Sequence, residues 1–184
     1  MFILYPILVA IPLGFLLGGR MERLGTIDVR WGWLALAGLA VQIVLFSGPV
    51  VATVGAAGAP LYVGSSLAVL GVVVANLRIP GFGIIAAGAA LNVAAILANG
   101  GCMPADPAAL AAVGEPVTHD ATVYSNSCVP DAPVLAPLTD VLAMPTWMPL
   151  ANVFSIGDVV IGAGVAVAIV IGMRQGGVAR ATRD

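Results

Sequence analysis

Residues 150–172, LANVFSIGDVVIGAGVAVAIVIG, form an apolar run with one ionisable side chain, Asp158, near its start. A spanning helix needs about 20 apolar residues, so the run is long enough to cross a bilayer. A carboxylate within or at the lip of such a helix is costly and marks a candidate functional site. A plainer role is also open. Ser155 or Asn152 can cap a helix start, and an acid in the first turn favours the positive end of the helix dipole. The two roles predict different surroundings. A helix beginning near Leu150 buries Asp158, whereas one beginning at Ser155 places it in the first turn. The second geometry is expected, with the preceding segment folded over Asp158 and its contacts coming from backbone N–H groups or the 99–104 turn rather than from Arg.

The rest of the chain fits the same setting. It has 184 residues, 60% hydrophobic and 9% charged, and a mean hydropathy of +1.08. Soluble domains carry about 25% charged residues. The composition therefore predicts an all-α integral membrane protein. The net charge of −2 argues against nucleic acid, which needs a basic face. Few aromatics are available to line a large cofactor pocket, and no cofactor or metal is expected. The 23 glycines suit close helix packing in lipid.

Five spans are expected, at about 2–19, 31–51, 61–77, 80–98 and 153–173, in one membrane domain covering 1–184. Pro6 and Pro12 predict an irregular first helix. Trp31 and Trp33 sit where an interfacial aromatic belt belongs. GAAGAP (55–60) reads as a short loop. All seven basic residues are Arg: 20, 23, 30, 78, 174, 180 and 183. With an outside N-terminus and a cytoplasmic C-terminus, every Arg is cytoplasmic, as the positive-inside rule favours. The loop 99–152, acidic and free of basic residues, is then extracytoplasmic.

Cys102 and Cys128 both fall in that loop. Disulfides persist outside the cytoplasm, and a bridge here is worth roughly 3 kcal/mol in the chain-entropy model. NGGCMP (99–104) reads as a helix stop. APVLAPLTDVLAMPTWMP (132–149) is apolar but cut by prolines. It is expected to lie on the outer surface or fold over the bundle as a lid, with Trp147 at headgroup level. Gln42, Asn76 and Asn92 are cavity-lining candidates, although interhelical hydrogen bonding is the commoner use of such residues in lipid. His119 reads as an exposed loop residue. Met103, Met144, Met148 and Met173 read as packing or interfacial contacts.

The series LLGGR (16–20), NGGCMP (99–104) and NVFSIGDVVI (152–161) resembles an uncharacterised bacterial family of small multi-span proteins, a domain of unknown function. The resemblance implies a fold, and a place in the bacterial plasma membrane, but no activity. A second likeness is local. FSIGDVVIGAG (154–164) is similar to the last helix of the lipoprotein signal peptidases, with Phe154, Asp158, Ile161 and Gly164 in place. That resemblance implies an aspartic pair activating water. The second motif survives at Gly88, Ala89 and Asn92, but Ala95 stands where the other Asp belongs. Asp106, Asp120, Asp131 or Asp140 would have to be brought in by the loop.

These residues point first to a non-catalytic protein that binds a lipid-like ligand, or serves as an accessory subunit of a membrane complex, on its outer side. Asp158, Asn99, Asn92, Gln42 and Trp147 would make the contacts, and membrane lipids or another membrane subunit would be the partners. The alternative is an aspartic-type membrane hydrolase, which requires a second carboxylate close enough to perturb Asp158. A small transporter or channel is the third reading, and it requires a continuous polar path.

Overall fold

The computed structural model describes residues 2–47, 50, 53–115 and 127–175. Helices form at each of the five expected stretches: α1 (Leu4–Leu16), α3 (Gly32–Leu45), α4 (Gly58–Ala75), α5 (Phe82–Ala98) and α7 (Ile156–Gln175). Two shorter helices are added, α2 (Met21–Leu24) in the Arg-rich loop and α6 (Pro107–Val113) in the acidic segment. The protein is mostly helical. Among the described residues two helices, Gly55–Ala75 with its leading 3-10 turn and Ile156–Gln175, are long and apolar enough to cross a membrane.

Several boundaries differ from expectation, for local reasons. α1 has 13 residues, about 20 Å at 1.5 Å per residue, short of a hydrocarbon core of about 30 Å. Its end is set by Gly18, at φ +77°, a left-handed conformation that costs glycine nothing. Gly19 then lies so close to Met173 that an added Cβ would sit 2.7 Å from the Met173 Cβ. Pro12 is inside α1, and Pro6 lies in its first turn, where the missing N–H has no helical acceptor to lose. α3 stops at Leu45, and residues 48, 49 and 51 of the expected second span lie outside the described set. The expected 55–60 loop is instead a 3-10 turn, Gly55–Ala57, running into α4. The helix stop at 99–101 is as read, but its left-handed residues are Gly100 and Gly101, while Asn99 has φ −113°.

The bundle is layered in the order α3, α4, α5, α7, α1. The α5–α7 contact is the most extensive, because glycines line it. A Cβ at Gly88 would fall 2.5 Å from the Gly157 carbonyl oxygen and 2.7 Å from the Ile161 nitrogen, and one at Gly164 would fall 2.7 Å from the Ile85 nitrogen. Small residues of this kind let helix backbones approach and gain dispersion contacts. The outer faces of α1 and α3 stay uncovered: Leu16 is 83% exposed and Ile43 75%.

The segment between α5 and α7 folds over one end of the bundle. β1 (Met103–Pro104) pairs in parallel with β2 (Ser127–Cys128), and the Cys102–Cys128 disulfide, with Cα atoms 5.9 Å apart, ties the two arms together. β3 (Leu142–Ala143) pairs antiparallel with β4 (Val153–Phe154), just before α7. A 3-10 turn, Ala136–Leu138, rests against α5 and α7. Beneath it Ala95, Ile96 and Met103 form a buried cluster with Tyr62, Val63 and Leu138 packed around it. Met144 and Met173 are buried as packing residues.

Candidate functional site

Asp158 is organised by local sequence first. The series Ser-x-x-Asp at 155–158 forms a reciprocal cap at the start of α7. The Ser155 hydroxyl accepts from the Asp158 N–H at 3.0 Å, and Asp158 Oδ2 accepts from the Ser155 N–H at 3.0 Å. Two helix-start N–H groups that lack intrahelical partners are thereby satisfied. Ser155 is fully buried.

Tertiary packing adds the third member. The close α5–α7 approach brings Asn92 to the cap, where its amide nitrogen donates to Asp158 Oδ1 at 2.8 Å and its carbonyl oxygen accepts from the Ser155 hydroxyl at 2.8 Å. Both Asp158 oxygens are therefore engaged, and the half-buried carboxylate is held in one orientation. Its contacts include a backbone N–H, as expected, and no Arg. The 99–104 turn contributes none of the hydrogen bonds found; Asn92 takes that place. Asn152 does not cap the helix, since its side chain donates to the Val153 carbonyl.

A second carboxylate lies at the same junction. Asp140, in the folded-over segment, has its N–H donating to Pro104 O at 2.9 Å and its carbonyl accepting from the Asp106 N–H at 3.0 Å. Burial pushes the Asp140 carboxyl up from 3.8 to about 7, and the negative charge of Asp158 adds to the rise. Sequence alone ranked Asp140 no higher than Asp106 or Asp131. What marks it is the pairing of residues 104–106 with 140, a long-range contact with no local signature.

The other candidates stand apart from this centre. Asn99 clasps the loop, accepting from the Val134 N–H at 2.9 Å and donating to the Val134 and Ala95 carbonyls, each at 2.8 Å. Gln42 donates to Ser65 and Ser66, joining α3 to α4. Asn76 grips Arg30 through both of its backbone polar groups. Trp147 is 81% exposed on the cap. His119 and Asp120 lie outside the described residues.

Two concavities flank the cap. One, of about 160 Å³, is lined by Phe2, Tyr5, Ala143, Met144, Pro145, Met148 and Phe154. Phe2 and Phe154 stack with centroids 4.3 Å apart, and the Tyr5 hydroxyl donates to Pro149 O at 2.6 Å, so the groove joins the start of α1 to the cap. The other, of about 340 Å³, lies within the cap among Asp106, Asp131, Thr139 and neighbouring prolines.

No curated protein and no solved structure shows a significant match to this chain. A family model does match it, over residues 26–170. That range takes in α3, α4, α5, the cap and nearly all of α7, including Asn92, Asp140, Ser155 and Asp158. The chain belongs to DUF5317, a family of unknown function.

Proposed function

We propose that this is a five-span plasma-membrane protein, with its N-terminus outside and its C-terminus in the cytoplasm, that holds a lipid acyl chain between α1 and the external cap. The observation that carries the reading is the groove of about 160 Å³ walled by Phe2, Tyr5, Met144, Met148 and Phe154. Ligand pockets for drug-sized molecules occupy roughly 300–1,000 Å³, so this one suits a single narrow chain. Its walls offer aromatic rings and thioethers, and methionine adapts to irregular apolar surfaces. The uncovered apolar faces of α1 and α3 are what lipid contact requires. Asp158 and Asn92 brace the start of α7, directly after the β4 residue Phe154 that walls the groove, and Trp147, on the same cap, reaches headgroup level.

The test uses the full chain in nanodiscs containing a phospholipid with a photoreactive acyl chain. Crosslinks should concentrate on peptides containing Phe2–Tyr5 and Met144–Met148. Met148→Trp, which fills the groove, should remove them while leaving thermal stability unchanged. Crosslinks confined to the outer faces of α1 and α3, and indifferent to Met148→Trp, would sink the reading.

One observation favours a second reading, the aspartic-type hydrolase: Asp158 has an acidic neighbour, Asp140, whose proton affinity it raises. Water activation by two carboxylates needs one protonated and one ionised, and burial together with the Asp158 charge raises the Asp140 carboxyl to about 7, as the protonated member requires. This reading requires that Asp140→Asn and Asp158→Asn each abolish hydrolysis, whereas acyl-chain binding requires neither loss.

A further inference from the structure

We propose that Asp140 and Asp158 form a proton-operated latch between the external cap and the helix bundle: the cap is clasped when Asp140 carries a proton and loosened when it does not. The proposal rests on neither reading of the ligand.

The geometry sets two acids on two separate anchors. Asp158 is fixed to the bundle by Ser155 and Asn92, which engage both of its oxygens, so it cannot turn away. Asp140 is fixed to the cap by its backbone bonds to Pro104 and Asp106, immediately beside the disulfide-tied arms. Beside Asp140 the cap meets the bundle at the Ala136–Leu138 turn, which rests on α5 and α7 two residues earlier, and further off at Met103 and the Asn99–Val134 clasp. Relief of repulsion between the two acids therefore has one inexpensive direction, movement of the cap, because α7 is held between α5 and α1.

Among the described residues no cation offsets a second negative charge. The chain has no Lys, and no Arg between Arg78 and Arg174. α5 presents Asn92 and is followed by Asn99, both neutral, and α6 carries no charged residue. The buried Thr139 hydroxyl is spent on Ala136 O. Among the described residues the charged groups of the cap near Asp140 are themselves acidic: Asp131, which lines the same concavity as Thr139 and Val141, and Asp106, whose Oδ2 accepts from the Ala109 N–H at the start of α6. Ionising Asp140 thus places like charges in a poorly hydrated junction, which disfavours the charged form.

The direction follows from where the proton is held. Asp140 keeps its proton in the folded protein up to about pH 7, while an unfolded chain releases it near 3.8. Between those values the folded state binds more protons than the unfolded state, so stability falls as pH rises and levels off above about 7. The loss is expected at the junction of cap and bundle, where Asp140 faces the Asp158 charge.

The experiment follows the full chain in nanodiscs by NMR. The Asp140 side-chain carboxyl should titrate near neutrality in the unmodified protein. Exchange of the Asp106 and Asp140 amides, corrected for intrinsic pH dependence, should accelerate about tenfold from pH 6 to 8, with α5 interior amides unaffected. Asp140→Asn, a neutral and near-isosteric side chain, should remove that dependence. A carboxyl titrating below pH 5 would overturn the latch, and so would Asp140→Asn retaining the accelerated exchange. The titration needs no variant, so a misfolded mutant does not rescue the idea.

Discussion

At the residue scale, the centre is a three-member network in which each side-chain polar atom has a partner suited to it. Asp158 supplies two acceptors, the Ser155 hydroxyl both donates and accepts, and Asn92 does both through its amide. Replacing Asp158 with Asn leaves one acceptor where two donors point, and sets an NH2 group against either the Ser155 N–H or the Asn92 amide. An unsatisfied buried donor costs about 1–3 kcal/mol. Losing a Ser cap costs roughly 1 kcal/mol, and here it also strands the Asn92 carbonyl oxygen. Thermal unfolding of Ser155→Ala and Asp158→Asn should show a clear loss in each, with the double variant losing less than their sum because the bonds are reciprocal. Strictly additive losses would mean that the network seen here is not cooperative. Ser155, Asp158 and Asn92 were legible as candidates because polar residues in apolar helices are few. Asp140 was not, because its importance comes from burial and from a neighbour 18 positions away.

At the element scale, α5 and α7 are joined by backbone proximity rather than by interlocking side chains. This makes a sharp matched comparison possible on one helix. Gly88→Ala sets a methyl 2.5 Å from a backbone oxygen of α7, whereas a methyl at Gly83 meets nothing within 4 Å. Overpacking against backbone costs typically 1–3 kcal/mol, while Gly→Ala in open helix is favourable by up to about 1 kcal/mol. Gly88→Ala should lower the melting temperature by several degrees and Gly83→Ala should leave it unchanged or raise it. Equal effects would mean that α5 and α7 do not lie this close. Helices at the five expected stretches were legible from apolar length alone, although only two of those described are long enough to cross a membrane. Their ends were not: glycines at 18, 100 and 101 and the packing of Met173 decide where helical bonding stops. α6 was also unforeseen, although its Asp106–Pro107 start is a capped helix opening in a proline-rich stretch.

At the scale of the whole molecule, charge distribution and fold agree. The acidic, Arg-free segment is the one that folds over a single end of the bundle, while Arg20, Arg23 and Arg174 meet at the end of α7, where the Arg23 guanidinium donates to Arg174 O. In the proposed topology these ends face opposite sides of the membrane. With both native cysteines in a disulfide, single cysteines report cleanly. Ala132→Cys should react with an impermeant maleimide on intact cells, and Glu22→Cys only after permeabilisation. The reverse pattern would refute the orientation.

The sequence by itself determined the composition of the interior, the places where long apolar helices form, the helix-capping series at 155–158 and the chemistry available to Cys102 and Cys128. These are properties of neighbours along the chain: hydropathy, glycine and proline conformation, and a hydroxyl three residues before an acid. Tertiary structure alone decided that Asn92 completes the Asp158 cap, that residues 104–106 pair with Asp140, and that the cap and the start of α1 leave an apolar groove between them. Each of those depends on contacts across 34 or more positions, where no local pattern reports which polar group will be buried or which charge it will face.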